Sequence, residues 1–413
     1  MGMNRILAKI TISLLLLALA LPAAASEDHT LGVFGNANED DTINMQDVTY
    51  TELIILEYRD QTELADGKYD GRINMQDVTQ IELVILGKEK ELTYIDCDGD
   101  AATVNMPVEK IVVAYNNNAE MVRVLEATDG VVGVCDDILK YPVYFPDMSE
   151  KPCVGRRFDF DVEAILELEP DIVFTGTRAW YTPDLEDKLK GTGIDVVRLS
   201  SWEYNRVLAG IMKLGYILDE EENAYEYREW HNECTGTVTE RVSEISEDEK
   251  LRVFVDRPGG TSVGKGSGYA ETVEMAGGIN LASSLGDLTY PEVDLEWVID
   301  QNPDVIVGIS FEGNYETDDV SVIRARYDEI IGTTGFEYID AVKNDRVYVT
   351  HYIIQLGPSY PVGVTYLAKW FYPDLFEDLD PQEIHQEYID RFQGMDFDVS
   401  EHGVFAYPPL EVS

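Results

Sequence analysis

The sequence is short of positive charge, of sulfur and of histidine. Lys and Arg number 31 against 79 Asp and Glu, a formal net charge of −48. Nucleic acid is excluded as a partner on this count, because its phosphates call for a surplus of basic side chains. So acidic a surface serves solubility, as in a saline exterior. Only four cysteines occur, Cys97, Cys135, Cys153 and Cys234, and none forms a C-x-x-C pair. That removes the usual signatures of a thiol redox centre and of a zinc site. The five histidines, His29, His231, His351, His385 and His402, are scattered, with no readable Ser-His-Asp arrangement. Beyond the N-terminus no apolar run reaches the roughly 20 residues that span a bilayer.

What is present begins with a basic start, Met1–Arg5, and an apolar stretch, Ile6–Leu21, interrupted only by Lys9. It closes on Pro22-Ala23-Ala24-Ala25-Ser26, which predicts a secretory signal peptide over residues 1–25. Export places the protein in the secreted or cell-envelope space, on the outer side of the cytoplasmic membrane. No Cys follows the predicted cleavage point, so a lipid anchor is not expected. Export also permits disulfides, and Cys135 with Cys153, the nearest in sequence, is the favoured pair.

The heptapeptide Ile-Asn-Met-Gln-Asp-Val-Thr occurs at Ile43–Thr49 and again at Ile73–Thr79. Each copy ends a stretch of regularly spaced oxygen donors. The first carries Asn36, Asn38, Asp40, Asn44 and Asp47, and the second Asp66, Asp70, Asn74 and Asp77. Thr42 and Arg72 stand where only a backbone carbonyl is needed. This is the spacing by which a 12-residue loop surrounds a hard cation such as calcium. Three residues depart from it: Asn36 replaces the usual Asp, Asp41 stands where Gly is expected, and Lys68 takes a ligand position. The first loop is therefore the better calcium site. Each loop leads into an amphipathic helix, with Val48, Leu53, Ile55 and Leu56 matched by Val78, Leu83, Ile85 and Leu86, and Gly87 as a stop.

Two such loop–helix units, with Asp at the twelfth position, resemble a dockerin module over Phe34 to about Lys90, within a unit bounded at 32–90. The resemblance implies calcium as cofactor and a cohesin-bearing surface protein as partner. In dockerins the tenth and eleventh loop positions meet the cohesin. Here these are Met45, Gln46, Met75 and Gln76.

A larger duplication lies downstream. "DVEAILELEPDIVFTG" from Asp161 and "DLEWVIDQNPDVIVGI" from Asp294 align at a constant offset of 133 residues. Each reads as an Asp N-cap, an apolar helix face, a Pro stop and a buried strand. Further strands are predicted at Ile111–Ala114, Val131–Val134, Ile194–Leu199, Leu251–Val255 and Arg346–Val349, with helical patterns between. Short apolar strands alternating with helices mean α/β layers with mostly parallel sheets. The fold class is thus α/β: two doubly wound lobes, 92–200 and 250–400, preceded by the small all-α loop–helix pair. The segment 201–249 joins them, its charged stretch Asp219–Glu247 read as a long connecting helix, and residues 401–413 form a tail.

This layout resembles the substrate-binding proteins of ABC importers for iron–siderophores and cobalamin, from Ile95 to about Phe392. The stretches that carry it are "VNMPVEKIVV" (Val104–Val113), "VGRRFDFDVEAILELEPDIVF" (Val154–Phe174), "GSGYAETVEMAGGINLA" (Gly266–Ala282) and "YPEVDLEWVIDQNPDVIV" (Tyr290–Val307). The resemblance implies a binding protein, not an enzyme. It captures a ferric siderophore, with a corrinoid or haem as the other candidates, and its partner is an ABC permease.

In open α/β sheets, ligands sit beyond the carboxyl ends of the strands. The loops there are aromatic: Tyr115 and Asn116, Tyr141, Tyr144, Phe158, Trp180 and Tyr181, then Trp202 and Tyr204. The second lobe offers Arg257, Tyr269, Tyr290, Phe311, Tyr315, His351, Tyr352 and Tyr360. Flat rings around a cleft suit a bulky, partly apolar ligand. Arg156, Arg157 and Arg178 add bidentate donors for carboxylate or phenolate oxygen. Arg157 falls where siderophore-binding relatives carry a ligand-binding arginine. An arginine-lined cleft selects an anionic ligand, a ferric siderophore before a neutral corrinoid. The resemblance further implies acidic permease contacts, one set per lobe: Asp184 and Glu186, then Glu316, Asp318 and Asp319.

Two other classes compete. A bilobed chelatase- or nitrogenase-like enzyme needs clustered Cys or His ligands. A surface scaffold or adhesion protein would explain the dockerin-like module but not the lobes. "GGTSVGK" at Gly259–Lys265 nearly makes a phosphate loop, but Gly266 stands where Ser or Thr must hold magnesium.

Overall fold

The repeated heptapeptide folds the same way twice. In the computed structural model, which describes residues 30–410, Asn44 and Asn74 cap two 11-residue helices, α1 (Met45–Ile55) and α2 (Met75–Ile85). The predicted signal peptide lies outside the described residues. Each Asn side chain accepts from the amide two residues on, at 2.8 and 3.0 Å. Asp47 and Asp77 reach back to the cap amides at 2.8 Å. This reciprocal capping satisfies donors that a helix start otherwise leaves orphaned. Val48, Thr51 and Ile54 pack against Val78, Ile81 and Val84. Leu56 and Leu86, expected on this face, are 61% exposed. Each lies two residues beyond the last core position, about 200° round the helix.

A hairpin that the sequence did not announce follows: β1 (Glu91–Ile95) pairs antiparallel with β2 (Ala101–Asn105). It fastens the N-terminal module to the body. Phe34 N–H donates to Thr93 C=O at 2.9 Å, and Ile95 N–H to Gly32 C=O at 2.7 Å. On its other side, the Asn105 amide and side chain donate to Asp195 at 2.9 and 2.8 Å.

The first lobe is built on β3 (Ile111–Val113), β4 (Val131–Val134), β5 (Ile172–Thr175) and β6 (Asp195–Arg198). They form a parallel sheet in the order β4-β3-β5-β6. The second lobe holds β7 (Leu251–Asp256), β8 (Gly278–Asn280), β9 (Val305–Ser310), β10 (Val347–His351) and β11 (Ala406–Tyr407). Their order is β8-β7-β9-β10-β11, with only β11 antiparallel. β3, β5 and β9 are buried along their whole length, as strands covered on both faces must be.

The long duplication is a helix, a stop and a strand. Asp161 and Asp294 cap Val162–Leu168 and Leu295–Gln301, accepting from Ala164 and Glu296 amides. Both helices end on a left-handed residue, Glu169 at φ 50° and Asn302 at φ 45°, directly before the repeated proline.

Asn116–Val124, labelled α3, opens the first lobe's helical layer. Between the lobes run α4 (Tyr204–Leu218) and the 22-residue α5 (Glu221–Val242), which takes up most of the charged stretch. Asp219, left-handed at φ 58°, turns the chain between them. α5 buries Tyr227, Trp230 and Val238 against α6 (Tyr360–Phe371). The favoured disulfide is absent, and all four cysteines are free. Cys153 sits opposite Val134, one residue out of step with Cys135, and is exposed where Cys135 is buried.

Candidate functional site

Residues that follow the strands of both sheets line one cleft. Tyr115, Asp137, Tyr181 and Trp202 come after β3 to β6, and Arg257, Phe311 and Tyr352 after β7, β9 and β10. The cavity measures about 400 Å³, the size of a small-molecule site. Asn116, Arg157, Phe158, Trp180 and Tyr269 also line it, as expected, together with Tyr141 and Tyr290. Phe158, Trp180 and Phe311 stay exposed, an apolar rim drawn from both lobes.

The charges are divided between the lobes. Arg157 stacks over Tyr115 and Phe158, its guanidinium carbon 4.9 and 4.6 Å from the ring centres. Its Nε lies 3.1 Å from Asp137, which also takes Lys140 at 2.6 Å. Arg257 stacks over Tyr290 at 4.4 Å and donates to Thr261 Oγ1 at 3.2 Å. Its buried Nε has no partner, and among the described residues no carboxylate pairs with it. A guanidinium so placed is a ready donor to an anion. Burial holds the Tyr115 hydroxyl up at about 12 and raises Tyr181, Tyr269, Tyr290 and Tyr352 too. These phenols remain neutral donors at neutral pH. Tyr141 and Tyr352 share a hydrogen bond of 3.0 Å across the cleft, and Asn116 donates to Tyr352 at 3.3 Å.

Seven sequence candidates do not line it, Tyr144, Tyr204 and Tyr360 among them. Arg156 belongs to the short hairpin Gly155–Arg156/Asp159–Phe160 and faces solvent. Arg178 is drawn into a ring of carboxylates: Asp96 at 2.8 Å, Asp98 at 2.9 Å, Asp100 at 3.4 Å and Glu186 at 3.1 Å. Tyr315 is buried, bonded to His385 Nε2 at 2.7 Å. His351 is buried too, and its Nδ1 accepts from Ile353 N–H at 3.1 Å. Burial lowers both histidines to about 3, so each is neutral. Sequence reasoning missed Asp137, Lys140, Thr289 and Leu356 in the lining. For Asp137 a signal existed, since it follows β4 as Tyr115 follows β3.

All five acidic residues expected to meet a permease have partners within the molecule, among them Lys188 for Asp184 and the Gly403 amide for Asp318. Glu186 grips Arg198 at 2.6 Å. Glu316 accepts the Val143 and Tyr144 amides of the opposite lobe at 3.0 Å. Asp184, Asp318 and Asp319 are exposed.

The two N-terminal loops differ as cation sites. Asn36 is fully buried, and its Nδ2 donates to Leu31 and Asp40 carbonyls at 2.9 and 2.6 Å. Its Oδ1 has no partner, a costly state that a cation would relieve. Asn38, Asp40, Thr42, Asn44 and Asp47 complete an all-oxygen donor set, which fits a hard cation. Burial raises the Asp47 carboxyl despite amide bonds from Asn44 and Asn38. In the second loop both Asp66 oxygens are taken by the Asp70 and Gly71 amides at 3.0 and 2.7 Å. Lys68 stands exposed beside Asp70, Arg72, Asn74 and Asp77. Among the described residues no three His, Cys, Asp or Glu side chains are placed together to hold a metal. The first loop therefore depends on its amide and carbonyl oxygens.

Residues 111–353, more than half of the chain, match the family described as "Periplasmic binding protein". The chain belongs to this family. It is 23% identical over 327 residues to the molybdate-binding protein MolA of Haemophilus influenzae, covering 70% of this chain and 87% of that one. It is 24% identical over 286 residues to a cobalamin-binding protein of Halobacterium salinarum, covering 68% and 74%. The fold also matches the crystal structure of the TroA-like periplasmic binding protein FepB from Veillonella parvula. The TM-score is 0.65 at 21% identity, over 76% of this chain and 98% of that one. The two-lobed α/β architecture and the absence of an enzymatic role follow from the family. No helix among the described residues is long and apolar enough to cross a membrane.

Proposed function

We propose that the protein captures an anionic metal chelate outside the cytoplasmic membrane and passes it to an ABC importer. A ferric siderophore is preferred over a corrinoid or haem. The observation that carries this is Arg257, a half-buried guanidinium whose Nε is buried without a partner, facing a cleft of aromatic rings. Arg157 adds a second cation, held in place by Asp137. Ring faces suit the flat, apolar parts of a chelate, and guanidinium groups suit its outer oxygens. The relatives named for molybdate and cobalamin keep an oxoanion and a corrinoid in the comparison. Asp184 on one lobe and Asp318 and Asp319 on the other are the exposed acidic residues that we assign to the permease. A thermal-shift panel of ferric siderophores, haem, corrinoids and molybdate tests the reading. A ligand at 100 times its Kd adds about 2.7 kcal/mol. Stabilisation by a ferric siderophore is expected, and no shift with any of the four classes would overturn it.

We infer that the dockerin-like module tethers the protein to a cell-surface partner. Its two helices begin symmetrically, with Met45 and Met75 exposed at 59% and 56%. Gln46 and Gln76 beside them are exposed as well. The same surface is thus offered twice, as a cohesin-bearing partner would require. Treating intact cells with a chelator is expected to release the protein, and full retention counts against the tether.

A further inference from the structure

The first loop is more than half of a symmetric pair. Its contacts run into the helices that join the lobes. Asp41, at the position where a calcium loop ordinarily has glycine, pairs with Arg228 of α5 at 2.5 Å. The Ile43 amide, two residues further along the loop, donates to the Tyr216 hydroxyl of α4 at 2.8 Å. That hydroxyl is itself bonded to Tyr225 of α5 at 2.7 Å. The second loop keeps glycine at the equivalent place, Gly71, at φ 83°. Asp41 is not among the residues with positive φ. The departure from the calcium-loop pattern is thus where the loop grips the body.

Asn36 departs for a related reason. Its Nδ2 ties the loop to Leu31, two residues before Val33, which bridges to Tyr94 of β1. An aspartate could not donate there. The same amide leaves its Oδ1 buried and unpartnered within the loop. One segment of 12 residues therefore combines a buried, unpartnered oxygen with two ties to the interlobe helices and one to the strand segment before it.

We propose that the 36–47 loop is a cation-dependent joint: filling it fixes the module to α4 and α5 and so stabilises the ligand-binding body itself. This rests on reading the first loop as a cation site. The loop's main chain is held open by side-chain acceptors, chiefly Asp40 and Asp47, whose charges repel one another without a cation. With the site filled, Asp41 and the Ile43 amide are presented to Arg228 and Tyr216 in a fixed arrangement. Without it, the loop loosens and those contacts are lost together.

All five tryptophans, Trp180, Trp202, Trp230, Trp297 and Trp370, lie outside the module, so indole emission reports on the body alone. The experiment is a thermal melt of the full chain followed by that emission, in calcium and in chelator. Terbium luminescence on the same samples reports whether a cation binds. The expected result is terbium binding and a body melt several degrees higher in calcium. Asp41→Gly restores the usual loop residue while removing the grip. It should keep terbium binding and lose the calcium effect on the tryptophan melt, as should Arg228→Met with Tyr216→Phe. Lys68→Met, which frees the ligand position of the second loop, should leave the effect unchanged. Terbium binding without any shift in the wild-type melt overturns the joint and leaves the cation site standing. No terbium binding overturns both. A full calcium shift in Asp41→Gly, or an enlarged one in Lys68→Met, overturns the assignment to this loop.

Discussion

Tyr144 and Tyr315 stack face to face across the two lobes, ring centres 4.1 Å apart and 6° from parallel. Glu316, next to Tyr315, accepts the Val143 and Tyr144 amides at 3.0 Å. Together they close the lobes beside the cleft that Tyr141 and Phe311 line. Replacing Glu316 by Ala leaves two amides without an acceptor and frees the stack. Urea denaturation should show a loss of about 1.5–3 kcal/mol, the range for hydrogen bonds to a charged group. Ligand dissociation should also speed up. An unchanged unfolding midpoint would mean that the clasp holds nothing.

Arg257 has no carboxylate to lose, so its removal should separate binding from stability. Arg257→Met is expected to melt at the wild-type temperature or above. Its affinity for a ferric siderophore should fall about 10- to 100-fold, matching the loss of about 1.5–3 kcal/mol of charge-assisted bonding. Titration by tryptophan quenching measures this directly. Wild-type affinity in the variant would remove Arg257 from the site.

Arg178 should behave the other way. Its guanidinium closes Asp96, Asp98 and Asp100 onto the loop that carries Trp180 and Tyr181. Asp96 is almost fully buried, so Arg178→Ala strands a carboxylate. The cost should be about 1–2 kcal/mol, moderated by the third of the arginine side chain that meets solvent. Affinity should drop only modestly, through a looser loop. Intact stability with a large loss of affinity would return Arg178 to the ligand.

These three residues also show where the sequence could be read. The strands β3 to β7, β9 and β10 were legible because each is a short apolar run between helical patterns. Most cleft aromatics were legible because they directly follow those strands. Arg178 was not, since nothing local reveals that Asp96–Asp100, some 80 residues earlier, folds onto it. Tyr315 lies four residues past Phe311 and looked equally exposed, but Tyr144, His385 and Phe405 enclose it. The hairpin β1–β2 went unseen because its strands, ELTYI and AATVN, are short and broken by an acidic turn. Thr289 and Leu356 carry no chemical signal at all, and only the closure of the second lobe brings them to the cleft.

Glu120 supplies a pH test of the interior. It lies on α3, fully buried, and accepts from Tyr388 at 3.2 Å. Burial raises its carboxyl from the usual 4.5 to about 8, outweighing the pull of Tyr388, Tyr144 and Arg123. The folded protein therefore keeps Glu120 neutral at pH 7, while the unfolded chain ionises it. Above about pH 4.5 unfolding releases this proton, so the contribution to stability is full below 4.5. It declines as pH rises and is gone once the folded group ionises near 8. Glu221 and Glu271, raised to about 7, slope the same way, so the wild-type profile alone does not isolate Glu120. Glu120→Gln does, since the amide keeps an acceptor for Tyr388 and cannot ionise. The difference in unfolding free energy between variant and wild type should grow in the variant's favour from pH 5 to pH 8. Its size should be on the order of a few kcal/mol, at about 1.4 kcal/mol per pKa unit. Parallel profiles would show that Glu120 is ionised in the fold, with Arg123 as its counter-charge.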